Sequence, residues 1–465
     1  MSNARSISLI DLPNELLAQI FECVSSQYHE KCKAFSAIAR VNRSFNSLIT
    51  PSLYSNFRDC CAKHLQLFGR TVLSNKTCAE LVKHYEGRHG RGSDLPDCPN
   101  VWHVFVLDET LKEAVVKRLP GLPSPITPAV FSYALTCILP GLQRVDVTSI
   151  GNLLMKQLSR PCTHVTAPFQ RLGNLRIATE PDRTYEMHDV ALLFMLPSLS
   201  TLTIDMAALN TREEQTSAPI DKIWHCRPRS STIRELILER CGLPPSWIAA
   251  MVASCKTLKH FHHEHYYWDN NAEYYPSIYQ SLTEHQETLS YVRMNEVNGC
   301  KLDAARQSDP LKPLSFQHFT SLAYLDIPLF TFASRTQHCP IDRLLPPSLQ
   351  VLTLDLRSAR EGFSDGFFIS LAETARAHVP RLKSVEIICR IEEYHEDGYL
   401  PLHFCHLRRM FSKYGIELSY FLEFVQCEFK AGKFGFHFVI HTGLTIFSLH
   451  GTTTRQYEGF GPRWM

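Results

Sequence analysis

Two stretches of the chain carry side chains whose types and spacing could do chemistry. His260-Phe261-His262-His263-Glu264-His265 gathers imidazoles and a carboxylate, groups that hold zinc or move protons near neutral pH. On a strand, His260, His262 and Glu264 share one face. Side chains two apart along a strand sit roughly 7 Å apart, awkward for one ion unless the strand bulges. The run therefore reads as a polar binding surface, and no metal is assigned. Gly362-Phe363-Ser364-Asp365-Gly366 spells G-x-S-x-G. A hydrolase elbow needs a strand running straight into the serine turn and a helix straight out of it. Here RSARE separates the preceding strand, which ends near Leu356, from Gly362, so Ser364 or Asp365 reads as a helix N-cap. No phosphate loop, dinucleotide fingerprint or H-E-x-x-H occurs. No catalytic residue and no cofactor are assigned.

The strand that would present the histidines belongs to a series. Leu142-x-x-Val145-x-Val147, Leu172-x-x-Leu175-x-Ile177, Leu199-x-x-Leu202-x-Ile204, Ile233-x-x-Leu236-x-Leu238 and Leu258-x-x-Phe261-x-His263 share one template. It returns at Leu289-x-x-Val292-x-Met294, Leu322-x-x-Leu325-x-Ile327, Leu349-x-x-Leu352-x-Leu354 and Leu382-x-x-Val385-x-Ile387. Helical segments lie between, among them His188 to Leu196, Ser246 to Cys255, Ile278 to His285 and Phe367 to His378. The core of the template resembles that of leucine-rich repeats. That resemblance implies an α/β solenoid with parallel strands inside and helices outside. The array is irregular, with insertions such as Asn210 to Pro228 and Asn298 to Pro313. After Tyr414 the pattern gives way to aromatic, alternating segments that suit a strand-rich cap on the last repeat.

Strand side chains alternate sides, so residues between and just after the inward positions face outward on the open sheet. They include Arg144, Asp146, Arg176, Asp205, Glu235, Glu239, Glu264, Arg293, Asp326, Asp355 and Glu386, with Tyr291 and Tyr324 adding aromatic contact. Acids outnumber arginines, a balance that favours a basic segment of a protein ligand. Glu235, Glu239, His260, His262, Glu264, Tyr291, Arg293, Tyr324 and Asp326 are the candidate substrate contacts.

Residues 8–57 carry a different pattern. In SLIDLPNELLAQIFECV, Pro13 suits a helix start, and Leu16, Leu17, Ile20, Phe21 and Val24 recur at helical spacing. After a polar loop, SSQYHEKC, a second helix aligns Phe35, Ile38 and Val41. Asn42 caps a third helix with Phe45, Leu48 and Ile49, and Pro51 is expected to stop it. Three helices in about 50 residues make a small core that leans on something else. The set Leu12-Pro13-x-Glu15-Leu16, Ile20-Phe21, Val41-x-Arg43-x-Phe45 and Pro51-x-Leu53-Tyr54 resembles the F-box, in the form common among fungal F-box proteins. The resemblance implies docking onto a Skp-family adaptor, and through it onto a cullin and its RING partner, by Leu12, Pro13, Leu16, Leu17, Ile20, Phe21 and Val41. Many F-boxes carry a Trp near the end of this stretch; Leu53 and Tyr54 stand there in this chain.

Composition narrows the function classes. With 48 Lys and Arg against 46 Asp and Glu in 465 residues, the chain lacks the basic excess of a protein that binds nucleic acid by neutralising phosphates. The 16 cysteines are scattered, with no C-x-x-C, and read as small buried hydrophobes of a reducing compartment. Without a signal peptide or a membrane-length apolar run, a cytoplasmic or nuclear location is expected. The expected organisation is an F-box over 1–57, a linker and helical/strand lead-in over 58–129, the repeat array over 130–413 and the cap over 414–465. The expected function is substrate recognition within a Skp-cullin-F-box ubiquitin ligase, non-catalytic, with an unknown protein substrate. A scaffold that binds the adaptor outside a ligase ranks second, and a hydrolase third.

Overall fold

The structure is a computed structural model that describes residues 12–23, 28–59, 61–88, 107–120, 122–148, 169–178, 187–205, 220, 224–265, 274–296, 313–332, 344–356, 365–392, 400–432, 435–446 and 456–457. The chain forms two compact units, Met1–Arg183 with Leu196–Leu199, and Thr184–Met195 with Ser200–Met465. Both are α/β, and their sheets are built chiefly of parallel strands.

The first unit opens with helices α1 (Asn14–Glu22), α2 (Tyr28–Ala39) and α3 (Arg43–Ser55). Leu17, Phe21, Phe35, Phe45 and Ile49 form their core, with Phe21 and Phe45 meeting edge to face at 5.6 Å. Asn42 caps α3 as its sequence position suggests, accepting from the Phe45 N–H at 2.7 Å. Two details differ from the sequence reading. The helix α2 starts inside the SSQYHEKC stretch, and α3 runs through Pro51 to Ser55 rather than stopping there. Pro51 is exposed, as is Ser47 one turn before it, so the carbonyl that loses its partner can be hydrated.

Strand β1 (Asn56–Asp59) follows directly, then α4 (Ala62–Ser74), α5 (Lys76–Leu81), β2 (His84–Arg88), α6 (Glu109–Arg118), α7 (Pro128–Ile138), β3 (Arg144–Thr148) and β4 (Asn174–Ala178). These four strands pair in parallel, with Phe57, Tyr85, Val145 and Leu175 in one row. Parallel pairing therefore begins at Asn56, at the end of the stretch expected as the F-box, and continues through the stretch expected as a lead-in. Tyr85 lies in β2. The template is hard to see there because Val82, Tyr85 and Gly87 stand where later repeats carry Leu, Leu or Val, and Ile or Val. The apolar run 101–106, the Gly- and Arg-rich stretch around Arg91 and the two long insertions fall wholly or largely outside the described residues.

The second unit contains α8 (Met187–Leu193), β5 (Thr201–Asp205), β6 (Glu235–Cys241), α9 (Pro245–Ser254), β7 (His260–His265), α10 (Tyr274–Leu282), β8 (Tyr291–Glu296) and β9 (Tyr324–Pro328). It continues through β10 (Val351–Asp355), α11 (Asp365–His378), β11 (Ser384–Glu392), α12 (Leu400–Lys413), β12 (Glu417–Gly432), β13 (Gly435–Ile446) and β14 (Gln456–Tyr457). Strands β5 to β12 are parallel; β13 and β14 turn back antiparallel. At most corners of this unit one carbonyl accepts two N–H groups from the next strand's start; Lys383 O, before β12, takes Glu417 alone. Arg234 O takes Lys259 and His260, Lys259 O takes Ser290 and Tyr291, and Ser290 O takes Ala323 and Tyr324.

That main-chain ladder puts like positions in register. Leu202, Leu236, Phe261, Val292, Leu325, Leu352 and Val385 form one fully buried row, and Ile204, Leu238, His263, Met294, Ile327, Leu354 and Ile387 a second. Strand β12 keeps the register beyond Tyr414, with Leu418 buried opposite Val385. The leading apolar position is replaced there by Gly415, whose φ of +73° ends α12, and the buried Ile416 supplies the apolar contact beside it.

In the first unit α4 approaches α7 so closely that a Cβ on Gly69 would lie 2.5 Å from the ring of Phe131, itself fully buried. Alanine should gain about 1 kcal/mol of helix propensity, yet overpacking a closed site typically costs about 1–3 kcal/mol. Gly69→Ala is expected to lower the urea midpoint of the first unit, against the helix scale; a raised midpoint would show that the ring can move aside.

Candidate functional site

Two surfaces present the residues singled out from the sequence. On the three-helix cluster, α1 carries two apolar faces. Leu17 and Phe21 are 2% and 5% exposed, locked against Phe35, Phe45 and Ile49, and Leu12 packs on that core half-buried. Leu16 and Ile20, one turn apart on the other face, are 45% and 42% exposed, and Val41 beyond α2 is 65% exposed. Pro13 is exposed; it sits at the N-cap, and its carbonyl accepts from the N–H groups of Leu16 and Leu17. The seven residues expected to dock thus divide into an inner set that holds the helices together and an outer set left facing solvent.

On the sheet of the second unit, the outward residues of β7 to β9 form an aromatic ladder. His260 stacks on Tyr291 with ring centres 3.9 Å apart, and Tyr291 on Tyr324 at 4.4 Å with nearly parallel planes. Register alone brings the three together, since His260 pairs with Tyr291 and Tyr291 with Tyr324. Beside the ladder runs a charged row. Arg293 Nε lies 3.1 Å from Asp326 Oδ2, and its Nη2 lies 3.7 Å from Glu264 Oε1, which is also 3.3 Å from His262 Nε2. Asn295 Nδ2 donates to Asp326 at 3.1 Å. Burial opposes the charge of Glu264, but His262, Arg293 and Arg240 outweigh it and hold the carboxyl below its ordinary range. Burial also works against Arg293, and Asp326 and Glu264 more than restore its charge. For His260 burial dominates and keeps the ring neutral to lower pH than usual.

The candidate residues do not all serve alike. Glu235 is exposed, while Glu239, His260, His262, Glu264, Tyr291, Arg293 and Tyr324 are partly exposed. Asp326 is buried, as are Asp205 and Asp355, so these three carboxylates are not open to a ligand. Asp326 is better described as the clamp that sets Arg293. Sequence reading also missed Arg240, which by strict alternation belongs on the inner side with Leu236 and Leu238. A bulge between Leu238 and Cys241 and a φ of +52° turn it outward, where its guanidinium grips both carboxylate oxygens of Asp205. An arginine on the side that alternation assigns to Leu236 and Leu238 was the available sign of that bulge.

The inner side holds the remaining histidines of the run. His263 is fully buried and its Nε2 lies 2.6 Å from the Tyr274 hydroxyl of α10, which donates to the Leu243 carbonyl at 3.1 Å. The His265 ring lies 4.2 Å from that of Tyr274. These imidazoles join sheet to helix. Among the described residues no group of three or more His, Cys, Asp or Glu side chains is placed to hold a metal ion. No helix among them is long and apolar enough to cross a membrane. Ser364 lies outside the described residues, and α11 starts at Asp365. No protein-family model matches the chain, and neither does any curated protein.

Burial holds His263 neutral to well below its usual 6.5, with His265 and His262 adding to the effect. The unfolded chain therefore binds the proton first: the stabilisation is complete above pH 6.5 and drains away as pH falls toward the folded value. His263→Phe should flatten the fall of stability between pH 6.5 and 5 in urea titrations, and an unchanged slope would remove His263 as its source. Arg240→Ala should destabilise the second unit by about 3 kcal/mol, since it takes the counter-charge from a fully buried carboxylate; a loss under about 1 kcal/mol by the same measurement would contradict that pairing.

Proposed function

We propose that this protein is the substrate-recognition subunit of a Skp-cullin-F-box ubiquitin ligase, and that it does no bond chemistry itself. In this reading α1 to α3 are an F-box that docks a Skp-family adaptor, and the repeated strand-and-helix units are an irregular leucine-rich-repeat array whose outward sheet face takes a protein substrate. The protein works in the cytoplasm or nucleus and contributes proximity, holding a client where a cullin-bound partner can modify it.

The observation that carries this reading is the second apolar face of α1. A nine-residue helix with Leu17 and Phe21 sealed inside still leaves Leu16 and Ile20 nearly half exposed. Covering the remaining surface of each is worth about 1 kcal/mol, enough to favour a partner that fits. The resemblance of Leu12, Pro13, Glu15, Leu16, Ile20, Phe21, Val41 and Phe45 to the F-box pattern supports a Skp-family adaptor as that partner.

Leu16→Asp with Ile20→Asp should reduce adaptor capture at least about a hundredfold in pull-down, because each buries an unpaired charge at the interface. The helical signal and melting profile should hold, since both positions face solvent. Capture undiminished by the double variant would defeat the assignment. Adaptor recovered without cullin from the wild-type chain would instead identify a scaffold outside the ligase.

A further inference from the structure

Resting on the reading of the sheet face as the substrate grip, we propose that its ligand is an extended basic peptide segment. The segment would carry cationic residues about seven positions apart, with an aromatic or apolar middle. Among the described residues of this face in the second unit, Arg240 is matched by Asp205 and Arg293 by Asp326 and Glu264, so these two offer little charge to a partner. Glu235 stands next to His260 in the ladder's own row, Glu386 lies two strands past Tyr324 in the row of Arg293 and Asp326, and each receives a hydroxyl: Thr201 Oγ1 donates to Glu235 at 3.0 Å and Thr353 Oγ1 to Glu386 at 2.9 Å. A neutral donor leaves the carboxylate its charge, and a cation on the ligand completes it.

The spacing follows from the sheet. Glu235 is on β6 and Glu386 on β11, five strand steps apart. At about 4.8 Å per step, with Glu386 two residues further along its strand, the span is roughly 25 Å, which an extended chain rising about 3.4 Å per residue covers in about seven residues. The ligand crosses the strands along the ladder. The rings of His260, Tyr291 and Tyr324 are closed face to face, so they offer edges and phenol groups, contacts that suit flat or apolar side chains packing edge-on.

The test is fluorescence polarisation on the purified full chain with the labelled peptide Arg-Gly-Ser-Tyr-Phe-Ser-Gly-Arg. Comparison peptides carry Glu for both Arg, or place the two Arg two positions apart. The first peptide should bind about tenfold more tightly than either, with affinity falling as salt rises, and Glu235→Lys with Glu386→Lys should cost about tenfold. Equal binding of the acidic or the close-spaced peptide, no binding of any, or an unchanged double variant would overturn the proposal. The peptide comparison uses only the wild-type chain, so it stands even if the double variant fails to fold. Adaptor capture measured on the same preparation separates the two readings. Capture with no peptide selectivity sinks the ligand class alone, and selectivity without capture sinks the ligase reading alone.

Discussion

The structure depends on one repeated main-chain interaction: at nearly every corner a single carbonyl receives two N–H groups from the next strand. Once Arg234, Lys259 and Ser290 hold their successors in this way, every side chain two residues on has a fixed neighbour. The apolar rows are then continuous because register leaves them no alternative, and each added unit buries the flank of the one before. The same constraint places His260, Tyr291 and Tyr324 in a stack and lays Arg293 beside Asp326. The core and the candidate surface are two sides of one ladder.

That coupling explains how much could be read from residues alone. The inward positions from Val145 to Ile387 were legible because all but His263 repeat a large apolar residue at fixed spacing, and every one lies in a strand of the structure. The first two strands were not, since Tyr85 and Gly87 break the leucine pattern while keeping its geometry. Main-chain bonds carry the register there, and they leave no mark in the residue names. The helices of the N-terminal cluster were legible from their spacing; the continuation through Pro51 was not, because it depends on the exposure of a neighbouring carbonyl.

The candidate surface divides along similar lines. Which residues face outward follows from alternation, so Glu235, His260 and Tyr291 could be named in advance. How deep each one sits depends on neighbouring strands, and this is where Asp326 changes from a contact to a support. Arg240 escaped because its place rests on a bulge, a backbone irregularity that alternation cannot express. At a site built on a regular scaffold, the irregular positions are the ones that sequence periodicity describes least well.

The corners have a consequence for descent. The register-setting hydrogen bonds use backbone atoms, so they do not specify the side chain, and Ser200, Arg234, Lys259, Ser290, Ala323, Gln350 and Lys383 are of five residue types. Proline alone is barred from the donor places, for want of an N–H. Lineages of such a protein can diverge widely at these points while the strands stay in step, and the amino-acid letters at a corner preserve little of its ancestry.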